Sequence, residues 1–328
     1  MPLEDIQMPK VMRKALIVGI DYYDEINDLH GCVSDAYSVR TALERHSDGT
    51  INFSTKLEVA NNSSSAISRK ELKDLTTELF KDDADVALFY FSGHGYIENT
   101  GGYLITSDCK DGDDGFSMSD LLLLANQSPA RNKVIILDCC HSGFAGKTDS
   151  SDDRSNLSEG MTILTASSES QYAIEENGSG VFTSLFVDAL NGGAANLVGE
   201  VTPGSVYAHI DQSLGPWEQR PIFKTNVRSF TSLRKVQPPI SLSDLKQIIE
   251  LFPKKEDIFK LDPTFEPEYE GSIEDNTEKF AVLQKFNRIN LVIPIDEEHM
   301  YFAAMNSTGC KLTILGEHYW NLIKKDRI

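Results

Sequence analysis

Asp85–Gly95 reads DVALFYFSGHG, and Val134–Gly143 reads VIILDCCHSG. Each begins as an unbroken apolar run rich in β-branched and aromatic residues, the pattern of a strand buried on both faces of a parallel sheet. Each then breaks off into small and polar residues: Ser92-Gly93-His94-Gly95 in one, Asp138-Cys139-Cys140-His141-Ser142-Gly143 in the other. In open α/β sheets functional groups gather where strands reach their carboxyl ends, so the two segments are expected to open onto one crevice.

Working outward, Ala15–Ile20 (ALIVGI) and Met161–Thr165 (MTILT) read as two more buried strands, and Asn52–Val59 alternates as a strand nearer an edge. Helical periodicity fills Val33–Arg45, Ser68–Phe80, Met118–Ala125, Val181–Leu190 and Val206–Leu214. Strands alternating with helices predict βαβ units, and so an α/β sandwich with a mostly parallel central sheet flanked by helices. Phe144–Gly160 (FAGKTDSSDDRSNLSEG) is polar and without hydrophobic period, the signature of an exposed, mobile loop. The Pro-Pro pair in Lys235–Ile240 marks a linker. Beyond it, a helix over Ser241–Phe252, an acidic irregular stretch over Asp262–Asn276, and a helix–strand–helix pattern from Thr277 predict a small α+β module. The expected organisation is thus a domain over residues 1–235, with 144–160 as its internal loop, and a C-terminal module over 236–328.

Composition narrows the function. The 328 residues carry a formal net charge of −19, which disfavours nucleic acid as a partner and suits cationic ligands. Five cysteines (Cys32, Cys109, Cys139, Cys140, Cys310) form neither a disulfide framework nor a zinc-site spacing. The N-terminal stretch MPLEDIQMPKVMRK lacks a signal-peptide apolar core, and no apolar run reaches the roughly 18 residues of a membrane span. A cytoplasmic protein is the expectation.

Catalysis by a thiol requires an imidazole to take or hold its proton and N–H donors for the developing oxyanion. His94 and Cys140 fit the first requirement, and the backbone N–H groups of Gly95 and Cys140 the second. Along a strand side chains alternate, so Asp138 and Cys140 share one side while Cys139 turns to the other, where a small thiol packs well. His141 adjoins Cys140 in sequence but points away from it. Asp138 is open to a second reading, as an ordinary helix-capping carboxylate.

At this point the sequence resembles the caspase-like proteases, particularly metacaspases and their short bacterial relatives. The resemblance rests on KALIVGIDYY…LHGCVSDA (Lys14–Ala36), DVALFYFSGHG, VIILDCCHSG and LTASSESQYAIEENGSGVFTSLFVDAL (Leu164–Leu190), and spans about residues 11 to 230. His94 precedes Cys140 by 46 positions, near the roughly 50 usual for this His–Cys order. The resemblance implies a caspase-type sandwich, peptide-bond hydrolysis through a thioacyl intermediate, and His94 and Cys140 as the dyad. The chain departs from true caspases, which carry Gln-Ala-Cys-Arg/Gln-Gly at the nucleophile together with a basic, aspartate-selecting pocket. In metacaspases the positions matching Asp35 and Asp138 line the primary specificity pocket, which implies cleavage after Arg or Lys; Asp35 could instead merely cap a helix. The loop 144–160 lies where the family separates its large and small subunits, so Lys147 and Arg154 are candidate self-cleavage positions.

Some metacaspases require calcium. Asp108, Asp111, Asp113, Asp114 and Asp120 cluster here, but off the EF-hand spacing, so no metal or other cofactor is predicted. Short bacterial proteins of this kind occur in defence systems, switched on by a partner or small signal. By that resemblance the C-terminal module is expected to sense a ligand or partner protein, with Arg288, His299, Tyr301 and Trp320 as candidates for binding a nucleotide. Its CKLTIL strand and following helix faintly resemble a winged helix, but basic residues are too few for DNA binding. Two other readings stand beside the peptidase: a catalytically silent caspase-like scaffold, and a thiol hydrolase of small substrates.

Overall fold

In the computed structural model, which describes residues 12–98, 101–139, 147–149, 152–166, 175–176, 179–215 and 220–328, the apolar runs become neighbouring strands of one sheet. The chain divides into two compact units, Met1–Gln237 and Pro238–Ile328, with the division inside the Pro-Pro segment.

The first unit begins β1 (Arg13–Ile20), α1 (Cys32–Glu44), β2 (Ser54–Ala60), α2 (Arg69–Lys81) and β3 (Val86–Ser92). Three short strands follow, β4 (Gly95–Glu98), β5 (Gly101–Leu104) and β6 (Phe116–Ser117), then α3 (Met118–Gln127) and β7 (Asn132–Asp138). The pair β8 (Lys147–Asp149) and β9 (Asp152–Ser155) precedes β10 (Met161–Thr165). A second small pair, β11 (Glu175–Glu176) and β12 (Ser179–Gly180), leads into α4 (Val181–Asp188). After β13 (Glu200–Val201) and α5 (Pro203–Ser213) come β14 (Ile222–Asn226) and β15 (Arg234–Lys235).

The main sheet has the order β14-β10-β7-β3-β1-β2. All its pairings are parallel except that of β14 with β10, so the expected mostly parallel sheet flanked by helices is what forms. Because side chains alternate along a strand, each central strand feeds two cores. Leu16, Val18, Phe89, Phe91, Ile135 and Leu137 pack with Leu72 and Leu79 of α2 and Leu121 of α3. Ile17, Leu88, Tyr90, Val134 and Ile136 pack with Val39 of α1, Phe182 and Phe186 of α4, and Ile210 of α5.

Helix ends follow local chemistry. Ser68 caps α2 by accepting the Glu71 N–H, and α2 buries Leu72, Thr76, Leu79 and Phe80, one stripe at helical spacing. Thr202 and Ser205 form a capping box that starts α5 at Pro203, three residues before the hydrophobic period alone suggested. α1 is seated differently: a methyl on Gly19 of β1 would overlap the Cys32 carbonyl and lie 2.8 Å from Ala36 Cβ. Glycine at that point brings α1 down onto the sheet.

Several segments differ from the sequence-based expectation, the short strands β4, β5 and β6 among them. Residues 147–149 and 152–155, expected to be loop, form the pair β8–β9; such a ribbon closes with backbone hydrogen bonds and needs no apolar face. β14 escaped notice because it is short and only half-buried, hence without strong periodicity. The helix expected over Ser241–Phe252 is two short ones, α6 (Leu242–Lys246) and α7 (Ile248–Leu251), broken where the Gln247 N–H turns back to Asp244 and Leu245.

The second unit continues with β16 (Ile258–Phe259), α8 (Glu274–Arg288), β17 (Val292–Pro294), α9 (Met300–Met305), β18 (Cys310–Leu312) and α10 (Ile314–Lys324). Its strands form an antiparallel sheet in the order β16-β18-β17, over a core that includes Phe252, Phe265, Phe280 and Phe286. This is an α+β module.

Candidate active site

At the carboxyl edge of the sheet, Gly19 of β1, Ser92 of β3 and Asp138 of β7 stand in one register. One step past β3 the chain turns through Gly93, where a methyl would lie 2.9 Å from both the Phe91 ring and the Tyr23 hydroxyl. That close passage presents His94, which three contacts then hold. Its Nε2 is 2.8 Å from the Asn27 carbonyl, its backbone N–H donates to the Tyr23 hydroxyl at 2.9 Å, and its ring leans on the Tyr23 ring with centroids 4.8 Å apart. A carbonyl can only accept, so Nε2 carries the proton and Nδ1 is the nitrogen free to act as a base. Tyr23 in turn donates to the Ile20 carbonyl, and burial holds its phenol well above the usual range, so it remains a neutral strut. Gly95 opens β4 directly after His94, paired with Leu104 of β5.

Cys139 is 1% exposed and belongs to the core on the α2–α3 side, opposite the face that Asp138 shares with Ile136. Cys140 and His141 lie outside the described residues, as do the side chains of Lys147 and Arg154. The backbones of these last two sit on paired strands, Lys147 opposite Ser155. Burial pushes the Cys32 thiol well up, raises that of Cys109, and pushes that of Cys310 up to about 12; such thiols are inert at neutral pH.

Asp35 and Asp138 come together. They are 2% and 6% exposed, and a methyl at Gly180 would overlap Asp138 Oδ2 while standing 3.1 Å from Asp35 Oδ2. Asp35 sits in the first turn of α1, yet the N–H groups of Cys32 and Val33 there go to Asp21 Oδ1. The Asp35 carboxylate instead accepts the Gly180 N–H at 3.1 Å and the Ser92 hydroxyl at 3.4 Å. Asp138 Oδ2 accepts the Thr183 hydroxyl at 2.7 Å. Two carboxylates from α1 and β7 are thus held by donors from β3, from Gly180 of β12 and from α4, and α4 also turns its N-terminus toward them. Tyr23, the Asn27 carbonyl, Ser92, Gly180 and Thr183 were not singled out by sequence. Ser92 and Thr183 stood in quoted segments, FSGHG and GVFTSLF, but no pattern told what their hydroxyls would meet.

The acidic run has local work. Asp108 Oδ1 accepts from the Arg69 N–H and the Thr106 hydroxyl, and Asp120 pairs with Lys73 at 3.3 Å. Among the described residues no group of three His, Cys, Asp or Glu side chains could hold a metal ion. Nor is any described helix long and apolar enough to cross a membrane. In the second unit, Trp320 spends its indole N–H on the Phe252 carbonyl, and His299 and Tyr301 each pack on Phe302. Arg288 ends α8.

A family model described as the caspase domain matches residues 12–239. The chain belongs to the caspase domain family. Among its relatives is Metacaspase-1 of Lodderomyces elongisporus, 28% identical over 151 residues, covering 40% of this chain and 33% of that protein. Metacaspase-1 of Schizosaccharomyces pombe is 31% identical over 86 residues, covering 25% and 20%. This caspase-domain chain therefore spans about a third or less of the length of these curated relatives. A crystal structure of a Geobacter sulfurreducens protein superposes with a TM-score of 0.50 at 19% identity, over 69% of this chain and 98% of that one, a likeness of fold.

Proposed function

We propose that this caspase-domain protein is a cysteine endopeptidase that cleaves after Arg or Lys, with His94 and Cys140 as its dyad. The observation that carries the reading is the pair of buried carboxylates, Asp35 and Asp138, at the same sheet edge as a His94 fixed with Nδ1 available. Two carboxylates so close repel one another in a desolvated pocket, and a cationic side chain relieves both; a planar guanidinium does so with more hydrogen bonds than an ammonium.

In this mechanism His94 Nδ1 takes the Cys140 thiol proton and the sulfur attacks the scissile carbonyl carbon. The Gly95 and Cys140 N–H groups receive the oxyanion. Collapse breaks the C–N bond, and the imidazolium gives its proton to the leaving amine. Water, deprotonated by His94, then attacks the thioester and releases the acid and the thiolate. The Asn27 carbonyl keeps the ring oriented through each of these proton transfers.

A peptide panel differing only before the scissile bond tests this. Arg should exceed Lys, and both should exceed Asp by at least about 100-fold, the discrimination expected when a pocket charge meets a like charge. Preference for Asp would overturn the reading, and no thiol-sensitive hydrolysis of any peptide would favour the silent scaffold.

The C-terminal unit fits a regulatory role in this reading, sensing a ligand or partner, with exposed His299, Tyr301 and Arg288 as candidate contacts. Half-buried Trp320 spends its indole N–H within the module, on the Phe252 carbonyl, and is left out of those contacts. Residues 1–237 alone should then differ from the full chain in basal peptidase activity by about tenfold or more, the size of an ordinary allosteric coupling. Equal activity in the two would remove the role.

A further inference from the structure

Two hydroxyls stand behind the carboxylate pair. Tyr90 of β3 is fully buried, its ring stacked near Phe186 of α4, and its hydroxyl lies 2.6 Å from Thr183 Oγ1. Thr183 is 1% exposed and donates to Asp138 Oδ2 at 2.7 Å. Proton counting fixes the direction. A threonine hydroxyl has one proton, and with Asp138 ionised, as a site for a basic side chain requires, the carboxylate can only accept, so Thr183 gives its proton to Asp138 and Tyr90 donates to Thr183. Polarised in series, each bond strengthens the next in this dry interior.

Packing alone does not call for these groups. Phe and Val at the two positions would fill the same space without the desolvation of two hydroxyls, and the Tyr90–Thr183 bond itself could be lost with both its partners at little cost; what would remain unmet is the Asp138 oxygen that Thr183 serves. What the hydroxyls have in common is where the chain of donors ends.

We propose that Tyr90 and Thr183 form a relay that positions Asp138 and keeps it ionised beside Asp35, making both specificity-positioning residues of the pocket. The inference rests on the reading of Asp35 and Asp138 as the site for a basic side chain. Among the described residues, those facing Asp138 include Asp35 and Cys32 from α1, Ser92 and Tyr90 from β3, Gly180 at the start of α4, and Thr183 from α4. Of these, Asp35 carries like charge and opposes its ionisation, Cys32 is held neutral by burial, and Thr183 is a direct donor. Burial also holds the Tyr90 phenol well above its usual range, with both carboxylates adding to the effect, so it stays a donor at every working pH.

The test follows kcat and KM from pH 5 to 9 with an Arg peptide, for the wild type, Thr183→Val, Thr183→Ser, Tyr90→Phe and the Tyr90→Phe/Thr183→Val pair. Thr183→Val should lower kcat/KM about 10- to 100-fold at neutral pH, mainly through KM, the scale of losing a hydrogen bond to a charged group. Its acid limb should move to higher pH, because a carboxylate that loses one donor takes up a proton more readily next to Asp35. Thr183→Ser, which keeps the hydroxyl, should stay within about threefold of wild type. Tyr90→Phe should shift the limb in the same direction by less, and add little to Thr183→Val, since Tyr90 acts only through Thr183. The double variant should unfold within a few degrees of wild type.

A loss of kcat uniform with pH, equal damage from Thr183→Ser and Thr183→Val, or additive effects of the two sites would overturn the relay. Should Thr183→Val not fold, Tyr90→Phe and Thr183→Ser still decide between these outcomes. If the wild type shows no preference for Arg or Lys, the underlying reading fails and the relay falls with it. A basic preference with unmoved pH profiles sinks the relay alone.

Discussion

Cys140→Ala is expected to lower peptide turnover by about 10⁴- to 10⁶-fold with the fold intact, and His94→Ala by a similar factor. The double variant should be scarcely worse than either, because nucleophile and base act as a unit. Cys139→Ala is the control. Its side chain sits in the α2–α3 core, so it should cost a little stability and leave kcat within a fewfold. If Cys139→Ala were the dead variant and Cys140→Ala the active one, the assignment would be reversed. The same proteins report on self-cleavage. Lys147 and Arg154 lie on paired strands, so cutting at either requires that ribbon to open and extend into a site. Wild type resolving into two bands while Cys140→Ala stays whole would show processing; a single band for both would show that activity does not need it.

Asp138→Asn should lower kcat/KM for an Arg peptide by about 10²- to 10³-fold, and Asp35→Asn by a comparable amount. That is the cost of removing one partner from a desolvated charge contact. Both variants keep volume and one acceptor oxygen, so stability should change far less than activity. The repulsion between the carboxylates is relieved in each. Neither variant should gain activity toward Asp, because loss of a negative charge does not create a positive one. Measured kcat/KM for Arg, Lys and Gln peptides decides the matter. If Asp138→Asn cut Arg and Gln peptides with equal loss, the carboxylate would be supporting the fold and not reading the substrate.

How much of this was legible beforehand differs by element. The strand ending at Ser92 was plain because VALFYF is apolar throughout, the pattern of a strand buried on both faces. α2 was plain because Ser68 caps it and its apolar positions recur at helical spacing. β14 was not, since IFKTN leaves two of its residues exposed and is held by pairing with β10. The site divides in the same way. His94 between glycines at the end of an apolar run could be nominated from its setting. The Asn27 carbonyl that orders its imidazole could not, because a backbone carbonyl carries no residue signature.

By itself, then, the sequence did not show β8–β9, β14 or the break at Gln247. It determined the central strands of the sheet and the helices with a clear apolar period, and that a histidine and a pair of cysteines stand past two strand ends. These depend on apolar periodicity, caps and glycines, all properties of neighbours along the chain. The tertiary structure alone decided what each polar side chain meets: Ser92 with Asp35, Gly180 with Asp35, Thr183 with Asp138, Tyr90 with Thr183. Those partners are 57, 145, 45 and 93 positions apart. They meet because strand register sets Ser92 beside Asp138, a bare Gly19 lets α1 approach, and α4 packs across the same face. Periodicity says which face a residue occupies; only the packing of elements says which residue stands opposite.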